Sequence, residues 1–235
     1  MIPSANNRKR VTAIIPAYNE EARVSAVLQA VTRAELVDEM LVVSDGSTDR
    51  TFETALRFPG AQAIRLEANQ GKAAAMTAGA LYTDADILVF LDADLIGLKP
   101  QHVDKLVRPV LLDWADMSIG VFKRGRLLTD LAQKLAPVIS GQRAITRDLF
   151  LSAGDISKVG MGIELALTLW AIEEELRVCN VGIDGVTHVM KEEKLGPWKG
   201  FRARLRMYCD IARVMGAGRQ KRAELARARR ASAED

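Results

Sequence analysis

The chain is poor in cysteine and has no long apolar run, and both shortages limit what it can be. Its two cysteines, Cys179 and Cys209, are too few for a disulfide framework, and neither lies in a metal-binding or redox spacing. The apolar stretches, such as residues 87–91, fall well short of the roughly 18 to 20 residues that cross a bilayer. The polar and basic residues 1–10 precede an apolar run that is too short for a signal peptide. We therefore expect a cytoplasmic protein without a membrane span.

Aromatic residues are also scarce, at 5% of the chain, and the charge is unevenly distributed. The formal net charge is only +3, but the segment from Lys199 to the end has eleven Lys or Arg against four Asp or Glu. Because the body of the chain has no basic, aromatic-rich face, we expect no nucleic-acid binding. The apolar spacing in residues 198–235 predicts a basic amphipathic helix. Two interpretations of this tail stay open: peripheral contact with an anionic membrane, or a solvated or dimer-forming helix.

Short apolar segments alternate with segments of helical periodicity in the first part of the chain. The predicted strands cover residues 11–15, 39–43, 61–66 and 87–91. The predicted helices between them cover residues 20–33, 48–58 and 71–82. The second of these helices begins after Ser47 or Thr48, either of which is a suitable cap. This alternation predicts an α/β, Rossmann-like fold with a mostly parallel sheet and helices on both faces.

The pattern is less regular after residue 96. It predicts a helix over 101–111, a strand over 117–122, an irregular stretch over 125–142, a helix over 160–175 and a strand over 177–183. His102 is expected on the surface of the first of these helices. Apolar residues make up 49% of the chain, which is enough for one large core. We predict a single compact domain of two fused halves, 1–95 and 96–197, followed by the helical tail 198–235.

Residues suited to ligand binding follow each of the four predicted strands in the first half. They are Tyr18, Asp45, Lys72, Asp92 and Asp94. Because the carboxyl ends of parallel strands meet at one edge of a sheet, these residues should line one crevice. An aromatic face, a carboxylate that can accept hydrogen bonds from a base or ribose, and a lysine at a helix start suit a nucleoside diphosphate. The acidic pair has the oxygen ligands that Mg²⁺ or Mn²⁺ prefers, although such a pair taken alone is usually a solvated turn.

Four segments at these strand ends resemble the family 2 glycosyltransferases in order and spacing. They are Ile14–Glu21, Val43–Thr51, Asn69–Ala73 and Phe90–Asp94. The resemblance covers residues 11–95 and implies a GT-A fold, a nucleotide-sugar donor and a divalent metal, Mg²⁺ or Mn²⁺. It implies that the nucleotide is contacted by Pro16, Ala17, Tyr18, Glu20, Asp45 and Lys72. It also implies that Asp92 and the adjacent Ala93 lie near the ribose and the metal, and that Asp94 ligates the metal.

The second half is similar to the acceptor half of bacterial enzymes of this family and of the related phosphoglycerate glycosyltransferases. The similar segments are Gly160–Glu164 and Thr187–His188. This resemblance implies that Glu164 is the acceptor-side carboxylate, beside Gly162, and that His188 is a third metal ligand. The segment Gly141–Gln142–Arg143 is a candidate acceptor or phosphate site. Simpler interpretations stay open, because Glu164 suits any helix N-terminus, His188 could be structural, and residues 141–143 could form an ordinary loop.

These patterns predict a metal-dependent enzyme that moves one sugar from a UDP- or GDP-sugar to an acceptor hydroxyl or phosphate. The acceptor is open between a lipid phosphate, a small phosphorylated acid and a glycan. Asp94 would act through the metal on the departing diphosphate, and Glu164 would deprotonate the acceptor if the reaction inverts. Two alternatives are a nucleotidyltransferase and a catalytically silent nucleotide-sugar-binding scaffold. The first normally has a glycine-rich phosphate loop after its first strand, which residues 16–20 lack.

Overall fold

A computed structural model describes residues 8–123, 140–154 and 162–188. All of them belong to one compact unit, Met1–His188. The predicted tail helix over 198–235 and Cys209 lie outside the described residues. The proposed division between residues 95 and 96 remains a prediction.

The described residues contain nine strands and six helices. The strands are β1 Val11–Ala17, β2 Glu39–Asp45, β3 Ala61–Leu66, β4 Ile87–Phe90, β5 Leu95–Ile96, β6 Met117–Lys123, β7 Arg143–Thr146, β8 Val178–Asp184 and β9 Thr187–His188. The helices are α1 Val24–Val31, α2 Thr51–Leu56, α3 Lys72–Tyr82, α4 Pro100–Leu111, α5 Arg147–Ser152 and α6 Ile163–Glu173. The strands and helices predicted for residues 11–111 are therefore confirmed, apart from shifts at their ends.

Seven strands form one sheet in the order β3-β2-β1-β4-β7-β6-β8, and β5 pairs with β9 in a small separate sheet. Strands β1 to β4 are parallel, and β6 pairs in parallel with β8. Strand β7 is antiparallel to both of its neighbours. Because β7 runs against the others, the residues that lead into it lie at the edge where β4 ends. This reversal places residues 140–143 beside the acidic turn that follows β4.

The sheet is covered on both faces, as the alternation of strands and helices predicts. Val11, Ala13 and Ile15 of β1 pack in one apolar cluster with α1 and α4. The intervening Ile14 packs in a second cluster with α3, α5 and α6. Alternate residues of a strand point to opposite faces, so strands that are buried on both sides have nearly continuous apolar sequences. The prediction of a mostly parallel α/β sheet with helices on both faces is confirmed.

Two local predictions were wrong. Helix α2 begins at Thr51 and not at residue 48, because the polar groups of Ser47 and Thr48 bond to the neighbouring loop instead of the helix. His102 is not a surface residue, since only 6% of it is exposed. Its Nδ1 accepts a hydrogen bond of 3.2 Å from the backbone N–H of Lys99, at the start of α4. The side chain therefore satisfies a backbone group at the helix terminus.

The burial of His102 predicts a specific dependence of stability on pH. Burial lowers the pKa of His102, and the charges of Lys105 and Lys99 lower it further. The unfolded chain then binds a proton near pH 6.5 that the folded chain does not bind, so the free energy of unfolding should fall as pH drops below about 6.5. Replacement of His102 by glutamine should cost about 1 kcal/mol at pH 7.5 and less at pH 5.5. Urea unfolding of both proteins at the two pH values tests this, and an equal difference at both would contradict it.

Membrane spans were not expected from the sequence. Among the helices that the structure describes, none combines the length and the apolar character that a bilayer crossing needs. The predicted cytoplasmic location remains a prediction.

Candidate active site

The crevice lies at the carboxyl edge of the sheet, where the chain changes direction between β1 and β4. Strands β2 and β3 lie on one side of β1, whereas β4 lies on the other. The loops that follow β1 and β4 therefore separate, and such a switch point is the usual ligand site of an open α/β sheet. Tyr18, Asp45 and Asp92 are located at the ends of β1, β2 and β4, as the sequence predicts.

Asp45 organises the loop that leads into α3. It is 3% exposed, and its Oδ1 and Oδ2 accept hydrogen bonds of 2.8 Å each from the backbone N–H groups of Gln70 and Gly71. The adjacent Gly46 has φ +64°, and any Cβ there would collide with the backbone of Asn69. The carboxylate therefore holds the loop directly before Lys72. Its predicted contact with a nucleotide remains a prediction.

Lys72 is the first residue of α3 and joins the two halves of the site. Its Nζ donates hydrogen bonds to Oδ1 of Asp92 and, at 2.6 Å, to Oε1 of Glu164. These partners are 20 and 92 positions away in the sequence. The lysine thus connects the end of β4 with the first turn of α6.

The charge state of Lys72 follows from these partners. Burial alone lowers the pKa of Lys72, but the negative charges of Asp92 and Glu164 outweigh burial and raise it above its ordinary value. Lys72 is therefore a cation at neutral pH. A cation at the start of a helix, in a crevice, can also bind an anionic phosphate group.

The segment that leads into β7 approaches the acidic turn closely. Nε2 of Gln142 donates a 2.7 Å hydrogen bond to Oδ2 of Asp92, while its Oε1 accepts a 3.1 Å bond from the Ser140 hydroxyl. A Cβ at Gly141 would lie 2.7 and 2.8 Å from the carboxylate oxygens of Asp92. Only glycine fits there without a shift of the carboxylate. The structure thus brings two of the four predicted acceptor residues, Gly141 and Gln142, against the acidic turn.

Arg143, the third residue of this segment, lies beneath the crevice. It is 1% exposed and is the first residue of β7, opposite Phe90 of β4. Burial lowers the pKa of Arg143 to about 10, and the negative charge of Glu164 acts in the opposite direction. The guanidinium therefore stays charged at neutral pH. Its burial gives no support to the predicted direct contact with an acceptor.

Glu164 lies in the first turn of α6, where the helix dipole favours a carboxylate. Glu164 has a second favourable interaction, because it also forms the ion pair with Lys72. Gly162 precedes the helix, and a Cβ there would lie 3.0 Å from Oε2 of Glu164. Glu164 and Gly162 therefore belong to the same cluster as Lys72 and Asp92.

The loops after β1 and β2 are held together by residues that the sequence analysis did not assign to the site. The backbone N–H of Asn19 donates to Ser47 Oγ at 3.2 Å, and Asn19 Oδ1 accepts a 2.9 Å bond from the backbone N–H of Thr48. Asn19 has φ +54°, a conformation in which asparagine is more common than most residues. The asparagine after an apolar strand is a usable sequence signal for such a turn.

These two loops and the last residues of the strands before them include most of the predicted donor contacts. Tyr18 is 47% exposed, so its ring is available at the crevice. Glu20 is buried, with its backbone N–H bonded to Thr51 Oγ1 and its Oε2 to Arg23 Nη1. Pro16 and Ala17 are the last residues of β1 and pair with β2. The contacts that the sequence predicts between these residues and a nucleotide remain predictions.

The backbone brings His188 to the acidic turn. Strands β5 and β9 are antiparallel, and Leu95 pairs with His188. Since Leu95 directly follows Asp94, the backbones of two predicted metal ligands, Asp94 and His188, lie close together. Ala93, between the two acidic residues, is buried.

Carboxylates at the turn have the chemistry of a site for a hard divalent cation. Asp92 and Asp94 are both partly exposed and together supply carboxylate oxygens. The side chains described in residues 8–123, 140–154 and 162–188 include no cluster of three or more metal-ligating residues. The backbone places His188, the predicted third ligand, beside the turn, and its role in metal binding remains a prediction.

This arrangement defines a class: an α/β protein with its crevice at the switch point of a mostly parallel sheet. The model of the family described as glycosyl transferase family 2 matches residues 12–159. The match covers more than half of the chain, and the chain belongs to this family. The resemblance stated from the sequence is thereby confirmed.

Two curated relatives show how far the similarity extends. The chain is 30% identical over 186 residues to glucosyl-3-phosphoglycerate synthase of Mycolicibacterium smegmatis, a match that covers 66% of this chain and 58% of the relative. It is 36% identical over 101 residues to dolichyl-phosphate beta-glucosyltransferase of Drosophila melanogaster, covering 39% of this chain and 31% of the relative. The chain therefore spans less than two thirds of the length of either relative.

A solved structure is similar over a larger share of the fold. Glucosyl-3-phosphoglycerate synthase from Mycobacterium tuberculosis, in complex with Mn²⁺, UDP-glucose and phosphoglyceric acid, is 26% identical with a TM-score of 0.62. The match covers 77% of this chain and 72% of that chain. The predicted GT-A fold is confirmed.

Proposed function

We propose that the protein transfers one sugar from a nucleotide diphosphate sugar, with UDP-glucose as the leading donor, to a small phosphorylated acid. The observation that carries this proposal is the position of Lys72 between Asp92 and Glu164 at the switch point of the sheet. One cation there contacts a donor-side and an acceptor-side carboxylate at once. The relatives that bind UDP-glucose and phosphoglyceric acid support this choice of substrates.

On the donor side, the loops after β1 and β2 would hold the nucleotide. Tyr18 offers an exposed ring against the base, and Asp45 keeps Lys72 in place through the loop at Gln70 and Gly71. This side of the nucleotide site would be bounded by Pro16, Ala17 and Glu20. Ala93 lies between Asp92 and Asp94 in the acidic turn. Lys72 would compensate the negative charge of the diphosphate as it departs.

Asp92, Asp94 and His188 would hold a divalent metal, Mg²⁺ or Mn²⁺. The metal supplies positive charge to the diphosphate oxygens. Gln142 and Lys72 orient the carboxylate of Asp92 by hydrogen bonds. Asp94, two residues further along the turn, is the principal protein ligand in this proposal.

On the acceptor side, Glu164 would contact the acceptor hydroxyl. If the transfer inverts the anomeric carbon, the carboxylate removes the proton from the attacking hydroxyl; if it retains, Glu164 orients the acceptor. Gly141 and Gly162 leave room beside the carboxylates, since neither residue has a side chain to fill the space. A lipid phosphate is the second acceptor candidate, favoured by the dolichyl-phosphate relative.

The remaining predictions concern location and assembly. We propose a cytoplasmic enzyme. Membrane contact or dimer formation would depend on the basic tail, 198–235, which lies outside the described residues. Light scattering and flotation with anionic vesicles would separate these two roles of the tail.

Binding of the donor should raise the melting temperature in a metal-dependent way. A ligand at 100 times its dissociation constant stabilises the folded state by about 2.7 kcal/mol, which is about 5 to 10 °C for a domain of this size. We expect this shift for UDP and UDP-glucose with Mn²⁺, and a much smaller shift with EDTA. ATP with Mn²⁺ is the control for nonspecific binding of nucleotide and metal. A folded protein that shifts with none of UDP, GDP or their glucose conjugates would refute the donor site.

A further inference from the structure

The guanidinium of Arg143 connects three parts of the fold below the candidate site. Its Nε donates to the carbonyl of Ser140 at 2.9 Å, in the segment before β7. Its Nη2 donates to the carbonyl of Glu164 at 2.7 Å and to the hydroxyl of Thr168 at 2.8 Å, both in α6. The residue itself is anchored in the sheet, opposite Phe90 of β4.

These contacts have a geometry that few side chains could reproduce. A guanidinium presents its donors in a rigid plane, so bonds from Nε and Nη2 set the distance and angle between their acceptors. Here the acceptors belong to the Ser140 segment and to the first turn of α6. A lysine has a single flexible donor group and cannot hold both in the same orientation.

The two segments that Arg143 joins carry the two sides of the site. The residue after Ser140 is Gly141, which packs against Asp92, and Gln142 donates to the same carboxylate. Glu164 is the acceptor-side carboxylate that pairs with Lys72. Arg143 therefore links the segment beside Asp92 to the helix turn that carries Glu164, in addition to the direct ion pairs of Lys72.

We propose that Arg143 is a positioning residue that fixes the Glu164 carboxylate relative to Lys72 and Asp92 for transfer. This inference rests on the proposed function and assigns Arg143 no contact with substrate. A buried charge is costly to maintain, and an apolar side chain would fill the space beside Met117 at a lower cost in desolvation. The charge is retained at neutral pH because the pKa of Arg143 is still about 10.

The test is a double-mutant cycle with Arg143→Lys and Glu164→Gln. Transfer from UDP-glucose to phosphoglyceric acid is measured with Mn²⁺, giving kcat and KM for each substrate. For Arg143→Lys we expect kcat to fall by about 10 to 100-fold, since misplacement by about 1 Å has an effect of that order. KM for UDP-glucose should change less than about twofold. In the Glu164→Gln background, Arg143→Lys should change kcat less than about threefold, because it acts through Glu164.

Thr168→Val is a second variant that keeps the shape of the site. It removes the hydroxyl that accepts from Arg143 and donates to the Glu164 carbonyl at 2.8 Å. We expect kcat to fall less than in Arg143→Lys, with KM for UDP-glucose again unchanged. If Arg143→Lys does not fold, the result for Thr168→Val tests the inference in its place. Thr12→Val is the control, because it removes a buried hydrogen bond at the opposite edge of the sheet.

The outcomes separate this inference from the proposed function. If the wild-type protein shows no transfer, the proposed function itself fails. If the wild type is active, the inference is overturned by normal kcat in folded Arg143→Lys, or in folded Thr168→Val where Arg143→Lys is unfolded. It is also overturned if Arg143→Lys has the same effect with and without Glu164.

Discussion

Replacement of Asp94 by asparagine should lower kcat for sugar transfer by about 10³-fold while the protein stays folded. The amide has nearly the size of the carboxylate but no charge, so it is a poor ligand for Mg²⁺ or Mn²⁺. Loss of positive charge at the departing diphosphate removes several kcal/mol of transition-state stabilisation. The measurement is the release of UDP from UDP-glucose in the presence of phosphoglyceric acid and Mn²⁺. The same variant should lose the dependence on Mn²⁺ of the melting shift produced by UDP.

Asp113→Asn is the matched control for Asp94→Asn. Asp113 is exposed, pairs with Lys9 and has φ +57°, a conformation that asparagine also adopts readily. We expect wild-type kcat and an unchanged melting temperature within about 1 °C, since exposed ion pairs contribute little. Wild-type transfer rates in a folded Asp94→Asn protein would remove Asp94 from the proposed mechanism. A wild-type protein that binds UDP-glucose and never transfers the sugar would favour the scaffold alternative.

The positions of the proposed donor-side residues could be predicted from the sequence because local patterns determine them. Each strand of the first half is a short apolar run, and the residue types change abruptly where the run ends. Once the strands are parallel, the topology rule for open sheets places Tyr18, Asp45 and Asp92 at one edge without further information. The structure has them at the ends of β1, β2 and β4. Here pattern and fold agree because each residue directly follows its own strand, and parallel strands have their carboxyl ends at one edge of the sheet.

The acceptor side follows much less directly from the sequence. The pair between Lys72 and Glu164 spans 92 positions, and nothing in the sequence around either residue specifies its partner. The guanidinium of Arg143 was a candidate to contact the acceptor or a phosphate group. Its burial depends on the antiparallel direction of β7, which places it below α6 and opposite Phe90. The direction in which a short strand joins a sheet depends on tertiary structure, so the spacing of apolar residues along the sequence does not predict it.

Local polar side chains account for the other discrepancies. Ser47 and Thr48 are good helix caps by residue type, but the Asn19 turn offers their polar groups closer partners. The helix therefore begins later, at Thr51. Ser47 and Thr48 were expected to cap their own helix. In the structure they instead connect the loop after β2 to the loop after β1, on either side of the proposed nucleotide site.

Replacement of Lys72 by methionine should impair both transfer and stability. The variant keeps most of the side-chain volume but leaves Asp92 and Glu164 near one another without the cation between them. We expect kcat to fall by about 10² to 10³-fold, since the diphosphate loses a preorganised positive charge. The free energy of unfolding should fall by about 1 to 3 kcal/mol, less than for a fully buried pair because about a quarter of each carboxylate side chain is exposed.

The sign of the pH dependence separates charge pairing from packing in Lys72→Met. Because the pKa of Lys72 is raised in the folded state, its contribution is complete below the unfolded value of about 10.4 and is lost only as pH rises through the folded value. The stability difference between wild type and variant should therefore be constant from pH 7 to 9 and decrease above about pH 10.5. Lys105→Met, an exposed position on α4, should match the wild type in kcat and in urea unfolding from pH 7.5 upward. A difference for Lys72→Met that persists unchanged through strongly alkaline pH would mean that the lysine contributes by packing, and the cation would then have no place in the proposed mechanism.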